Sequence, residues 1–306
     1  MIVVVCPGQG SQTPGFLEPW LENPSARALL GSLGEAAGVD LITHGTTSDA
    51  DTIRDTAIAQ PLIVAAGILT LDALADTDHL AKVSGIAGHS VGEFTAAAGA
   101  GVLDATDAVR LVGIRGRAMA EAAAQVATGM SAVIGGDEVE ILARLAALDL
   151  HPANYNGGGQ LVVAGELPAL AKLAEEPPAG ARVIPLQVAG AFHTSYMASA
   201  VDTLRQAAAG VNTNAPTKSL WTNNDGSKVT DGQAFRDLLV GQVSSPVRWD
   251  LCMNSFAEAG VTGIIELAPA GALVGLAKRG LKGVPTVAIK TPDDLVAARE
   301  LIDSVA

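Results

Sequence analysis

Between residues 130 and 188 the order of secondary-structure signals changes, and that change constrains the fold more than any other feature of the chain. Before it, β-rich runs alternate with helical spacing. IVVVCPG (2–8) ends in a Gly-rich turn, residues 59–75 have helical spacing with Pro61 expected in a first turn, and VSGIAGH (83–89) precedes a helical run closed by glycine at 91–101. A further helix is expected over 106–124 with Thr106 as its N-cap. Such alternation predicts an α/β domain with a largely parallel sheet. Then MSAVIGG, DEVEILARLAALD, HPANYN, GQLVVAGE, LPALAKLAEE and ARVIPLQV follow in the order βαββαβ, which is the ferredoxin-like unit. Afterwards the α/β pattern resumes, with strands at LWTNNDGSKV, 261–269 and 286–290 and helices at 231–243 and 247–260. The chain therefore reads as a large unit, 1–128 and 190–306, interrupted by a small one, 129–189.

Composition narrows the function classes. A net charge of −13 argues against nucleic acid or an anionic membrane as the main partner. No uninterrupted apolar run reaches the roughly 18 residues of a membrane span, and MIVVVCPGQGSQ reads as a buried strand rather than a signal peptide. Cys6 and Cys252 offer neither a disulfide framework nor a C-x-x-C pair, so a cytoplasmic setting is expected.

Chemistry concentrates at GIAGHSVGEF (85–94). In G-x-S-x-G after a strand, the glycines permit a sharp turn that lifts Ser90 onto a helix N-terminus, where the following N–H, that of Val91, can face a developing oxyanion. By itself the pattern is equally a Gly-rich junction with a capping serine. A hydroxyl is a poor nucleophile until a base takes its proton, so the five histidines matter. His89 should point away from Ser90; His44 and His79 lie in polar, loop-like contexts; His151 begins an extended segment. His193, in VAGAFHTSYM, falls where the chain re-enters the large unit, and a junction between units is a common place for a cleft. A capping role beside Thr194 remains the plain reading of that histidine alone.

Two other chemistries find little support. The histidines are dispersed, with no ligand spacing, so no metal site is expected. PGQGSQTPG (7–15) lacks the Gly-Lys-Ser/Thr end of a phosphate-binding loop; its exposed N–H groups suit a second oxyanion donor. A lipase-like order fits poorly as well, because no histidine follows residue 193.

PGQGSQ, GHSVGE at 88–93, the arginine in GIRGRAM, AFH at 191–193 and QVSSPVRW at 242–249 together resemble the malonyl-coenzyme A:acyl carrier protein transacylases. The motifs run in order from residue 6 to about 270. The resemblance implies an α/β-hydrolase-like core with an inserted ferredoxin-like subdomain. It implies Ser90 as nucleophile, His193 as base, the N–H groups of Gln9 and Val91 as oxyanion hole, and Arg115 as the group that holds the malonyl carboxylate. It further implies that the Gln242 carbonyl orients the histidine, that Asn156 lies near the cleft, and that Val91 and Phe192 mark malonyl selectivity.

On that basis malonyl-coenzyme A and a phosphopantetheinylated acyl carrier protein are the expected partners, with coenzyme A thioester as substrate, no bound cofactor, and action as a monomer in fatty acid or polyketide synthesis. A guanidinium offers a planar fork for a carboxylate, which would favour malonyl over acetyl at Arg115; by spacing alone Arg115 and Arg117 read as solvated helix residues, and it is the motif match that reverses this. An acidic carrier needs a local basic area on this acidic chain; Arg182, Lys278, Arg279 and Lys282 are the candidates, and Arg182 could instead meet nucleotide phosphates. The rivals are a serine thioesterase using the same pair with water as acceptor, and an inactive interaction module.

Overall fold

In the computed structural model, which describes residues 1–304, two sheets carry the architecture. Chain order begins with β1 (Ile2–Cys6), α1 (Pro24–Ala37), α2 (Leu41–Thr46), α3 (Thr56–Ala75), α4 (His79–Lys82), β2 (Gly85–Gly88), α5 (Gly92–Gly99) and α6 (Ala105–Ala123). The second sheet follows: β3 (Thr128–Gly135), α7 (Glu138–Ala147), β4 (His151–Gly157), β5 (Gln160–Glu166), α8 (Leu167–Glu175) and β6 (Ala181–Pro185). The chain then returns through α9 (Ala198–Ala208), β7 (Ser219–Trp221), β8 (Lys228–Val229), α10 (Gly232–Gly241), α11 (Trp249–Glu258), β9 (Gly263–Glu266), α12 (Ala272–Gly280), β10 (Thr286–Ala288) and α13 (Leu295–Asp303).

The large sheet has the order β10-β9-β1-β2-β7-β8, parallel except for the β7–β8 hairpin. Its central strand, IVVVC, is buried along its whole length, as a parallel strand covered on both faces must be. The small sheet is antiparallel, order β4-β5-β3-β6, and has the expected βαββαβ succession. Its β4 edge joins the large unit through two backbone bonds, Tyr155 N–H to the Val247 carbonyl and Val247 N–H to the Ala153 carbonyl, each 2.8 Å.

Several local expectations shift. Asp55 accepts from the N–H of Ala57, so α3 starts at Thr56 and Pro61 lies in its interior rather than its first turn. Likewise Asp104, not Thr106, caps α6, accepting from the N–H of Asp107. His44 and His79 belong to short helices rather than loops, and each is only half-buried. By length and apolarity α3 could cross a membrane, yet 78% of its most apolar window is buried in the protein, where it packs mainly against α6 and α5.

Register then brings the site together. Cys6 lies beside Gly88 in the β1–β2 pairing, so the loops leaving these two strands start side by side. Those loops carry Gln9 and Ser90, at the carboxyl end of a parallel sheet, where α/β folds place their clefts.

Candidate active site

The turn after β2 is as tight as its sequence requires. A β-carbon at Gly88 would stand 2.1 Å from the Glu93 nitrogen, and one at Gly92 would stand 2.2 Å from the Cys6 carbonyl oxygen. Only glycine fits either position. Between them Ser90 holds φ of 54°, a left-handed conformation that costs a non-glycine residue ~1–3 kcal/mol unless its surroundings fix it. Asn223 does the fixing: its Oδ1 accepts from the Ser90 N–H at 2.7 Å, and its Nδ2 donates to the Gly88 carbonyl at 2.7 Å.

Ser90 Oγ and His193 Nε2 are 2.6 Å apart. On its other side His193 Nδ1 lies 2.9 Å from the Gln242 carbonyl, which can only accept. That contact puts the imidazole proton on Nδ1 and leaves Nε2 free to accept from the serine hydroxyl. Burial, reinforced by the charge of Arg115 and opposed by the Gln242 carbonyl, lowers the His193 pKa to about 3. The histidine is therefore neutral, the form that can take a proton. Like Ser90 it has positive φ, 62°.

Arg115, on α6, is almost fully buried. One guanidinium nitrogen donates to Gln60 Oε1 at 2.6 Å and the other to Gln242 Oε1 at 2.9 Å, while Nε has no partner. Burial lowers its pKa to about 10, opposed by Glu93, so it remains a cation. Gln242 is the hub of the site. Its carbonyl meets His193, its Oε1 meets Arg115, and its Nε2 donates to the Ser90 carbonyl at 2.9 Å and to Glu93 Oε2.

Among the other residues singled out from sequence, the N–H groups of Gln9 and Val91 donate to no acceptor among the described residues and remain available to an incoming oxyanion. The Gln9 side chain reaches the Arg54 carbonyl at 3.2 Å, beside a cavity of about 340 Å³ lined by Gln12, Arg54, Leu186 and Gln187. Asn156 sits one step back: its Oδ1 accepts from His89 Nε2 at 2.9 Å and its Nδ2 donates to Gln160. His89 itself stacks edge-on against Trp249 and does not bond Ser90. Phe192 is buried in the main core next to the histidine.

The basic candidates lie away from this cluster. Arg182 is exposed on β6, an edge strand, whereas Lys278, Arg279 and Lys282 are exposed at and just after the end of α12. Arg279 packs against Gly158 in the β4–β5 turn. Register places Gly157, Gln160, Ile134 and Arg182 in one row across the small sheet. At about 4.8 Å per strand, Arg182 and that turn are ~14 Å apart at the same end of the sheet.

Three side chains bonded into this cluster escaped the sequence reading: Gln60, Glu93 and Asn223. Each left a trace. Gln60 is the polar interruption in an apolar helix, Glu93 closes the GHSVGE motif, and Asn223 follows directly on strand β7. Among the described residues, no group of three or more histidine, cysteine, aspartate or glutamate side chains is placed to hold a metal.

A serine hydroxyl paired with a neutral imidazole, beside two free N–H donors, is an arrangement that can support acyl transfer through serine. The family described as "Acyl transferase domain" matches residues 3–294. The chain belongs to this acyl transferase family. It is 54% identical over 296 residues to the malonyl CoA-acyl carrier protein transacylase of Mycobacterium tuberculosis, covering 96% of this chain and 98% of that one. A crystal structure of MCAT from Mycobacterium tuberculosis superposes on it with a TM-score of 0.95 at 53% identity, covering 98% of this chain and 99% of the other. A structure of a malonyl-transacylase in complex with its type II PKS acyl-carrier protein matches with a TM-score of 0.92 at 30% identity, covering 98% and 99%. The resemblance read from the motifs is thereby borne out, and so is the expected fold.

Proposed function

We propose that this acyl transferase moves a malonyl group from malonyl-coenzyme A to the phosphopantetheine thiol of an acyl carrier protein, through a malonyl ester on Ser90. The observation that carries the reading is the buried Arg115 cation, flanked by neutral amides and joined to the Ser90 carbonyl through a single side chain, Gln242. An acyl group ending in a carboxylate would complete that environment; an acetyl group would leave the charge without a direct partner. Charge-assisted hydrogen bonds of this kind contribute ~1.5–3 kcal/mol each.

Ser90 Oγ attacks the thioester carbonyl while its proton passes to His193 Nε2. The N–H groups of Gln9 and Val91 hold the oxyanion. Collapse of the tetrahedral species breaks the carbon–sulfur bond, and the departing coenzyme A thiolate takes the proton back from His193. The carrier thiol then gives its proton to His193 and attacks the ester carbonyl; the acyl carbon–oxygen bond breaks, and the Ser90 oxygen takes the proton back from His193. Because the Arg115 charge lowers the basicity of His193, a bound malonyl carboxylate would offset that charge and strengthen the base when the correct acyl group arrives. Asn156 supports the site through His89, Phe192 and Val91 shape the acyl end, and the cavity beside Gln9 suits the pantetheine arm.

The small unit, residues 129–189, is read as one wall of the cleft and the large unit, 1–128 with 190–306, as the bearer of the nucleophile. All these groups come from one chain, so a monomer suffices. The enzyme is expected to need no bound cofactor and to work in the cytoplasm, supplying fatty acid or polyketide synthesis. Arg182, Lys278, Arg279 and Lys282 are proposed to meet the acidic carrier, with the nucleotide phosphates as the alternative for Arg182.

Incubation with malonyl-coenzyme A should add one malonyl group to the peptide carrying Ser90, and added carrier protein should remove it as malonyl carrier. An unmodified serine overturns the reading. Release of free malonate at an equal rate with and without carrier would instead establish a thioesterase.

A further inference from the structure

We propose that Glu93 is a positioning residue of this site, whose carboxylate fixes the Gln242 amide and, through it, the fork of Arg115 and the seat of Ser90. This inference rests on the reading of Arg115 as the carboxylate-binding group and adds a residue to it.

Glu93 lies in the first turn of α5, three residues after the nucleophile, and is almost fully buried. Its two oxygens serve different arms of the site. Oε1 accepts from the Asn223 N–H at 2.7 Å, and the Asn223 side chain in turn clamps both sides of the Ser90 turn. Oε2 accepts from Gln242 Nε2. Facing N–H donors on both oxygens, Glu93 acts as an acceptor on each, the role its ionised form fills, and these donors oppose the burial that raises its pKa to about 7.

The consequence for Gln242 is directional. A side-chain amide can sit either way round, and its neighbours decide which. Here Nε2 faces two acceptors, Glu93 Oε2 and the Ser90 carbonyl, so Oε1 is turned onto Arg115. Reversed, the amide would set its oxygen against a carboxylate and a carbonyl, and its N–H groups against a guanidinium. Glu93 thus sets the orientation of an amide that it shares with Arg115, and in its ionised form opposes the buried cation one side chain away. Removing that acceptor would free the amide to turn and loosen the guanidinium fork without touching the His193 contact, which is made by the backbone of Gln242.

The experiment is to measure kcat/KM for malonyl and acetyl transfer in the full-length enzyme and to follow their ratio. In Glu93→Gln the new carboxamide can satisfy only one of the two N–H donors. The malonyl-to-acetyl ratio should fall at least tenfold, through a raised KM for malonyl-coenzyme A more than through kcat. Gln242→Met keeps the backbone carbonyl for His193 and lacks the amide; it should lower the ratio in the same direction. The double variant should fall no further than the worse single one, because both changes break one linkage. A merely structural role for Glu93 lowers both transfers alike and leaves the ratio intact, which would overturn the proposal. So would additive losses. Should Glu93→Gln fail to fold, an unchanged ratio in Gln242→Met overturns it alone, and a fallen one supports it. Arg115→Ala run in parallel separates the two levels. An unchanged ratio there overturns the carboxylate reading and this inference with it. A collapsed ratio there beside an intact ratio in Glu93→Gln overturns this inference only.

Discussion

Ser90 Oγ stands 2.6 Å from His193 Nε2, and both residues are held at positive φ, 54° and 62°. Two strained backbones meeting at one hydrogen bond mean that the contact is imposed by the surrounding structure rather than by local preference. If His193 is the base of the reaction, His193→Ala should lower kcat by ~10²–10⁴ with little change in KM, the range for a lost general base. Ser90→Ala should abolish the acyl-enzyme altogether. Steady-state kinetics with intact-mass measurement checks both; a His193→Ala enzyme within threefold of the parent in kcat removes the histidine from that role.

The turn itself makes a second prediction, about stability. Asn223→Ala strips the partly buried Ser90 N–H and the buried Gly88 carbonyl of their partners. Each orphaned group costs ~1–3 kcal/mol, so the variant should be destabilised by at least ~2 kcal/mol in urea unfolding and lose activity as Ser90 drifts. Gly88→Ala should be worse, because its β-carbon meets backbone at 2.1 Å rather than a movable side chain. Near-parental stability in both would mean that the turn is far more plastic than this geometry allows.

The parts legible in the sequence were those carried by periodicity and by backbone-determined motifs. The alternation of strands and helices, the inserted βαββαβ unit and the G-x-S-x-G turn depend on spacing and on glycines, which a linear reading captures. Asn223 and Glu93 were not legible as site residues, because their importance lies in contacts across 130 positions, Asn223 N–H to Glu93 Oε1. Helix starts slipped for a local reason: Asp55 and Asp104 compete with the nearby threonines and proline as boundary signals, and the side chain that actually reaches an N–H wins. Gln60 was hidden in the opposite way, since an apolar helix such as α3 reads as core, and only the guanidinium it accepts from explains one amide there.

Protonation gives a third prediction. His193 titrates near 3 in the folded protein against 6.5 unperturbed, because burial disfavours the cation. Between those values the unfolded chain holds a proton that the folded one lacks. Stability from this group is therefore present above 6.5 and is lost as pH falls towards 3, by up to ~1.4 kcal/mol per pH unit. Glu93 acts in the opposite sense. Burial raises it to about 7 from 4.5, so its folded form binds the extra proton and its contribution declines as pH rises from 4.5 to 7. His193→Ala should consequently show a shallower loss of stability between pH 6 and 4 than the parent in urea titrations. Parallel slopes would exclude a buried neutral histidine.

Carrier recognition supplies the last prediction. The chain carries 32 acidic against 19 basic residues, so an acidic partner approaching at random is repelled, and only a local cluster of cations can invert that. Arg279 against the β4–β5 turn and Arg182 along the same row of the small sheet are ~14 Å apart by strand spacing. That separation lets one carrier helix, rising 1.5 Å per residue, reach both with charges about nine residues apart. Reversing Arg279 or Arg182 to glutamate should raise KM for the carrier by ~5–10-fold, the size of one lost to two reversed surface contacts. The effect should shrink as salt rises. Acylation of Ser90 by malonyl-coenzyme A, measured alone as the first half-reaction, should stay unchanged for Arg279→Glu. If it slows for Arg182→Glu, that arginine serves the nucleotide phosphates instead. Unchanged carrier KM in both variants moves the docking surface elsewhere on the molecule.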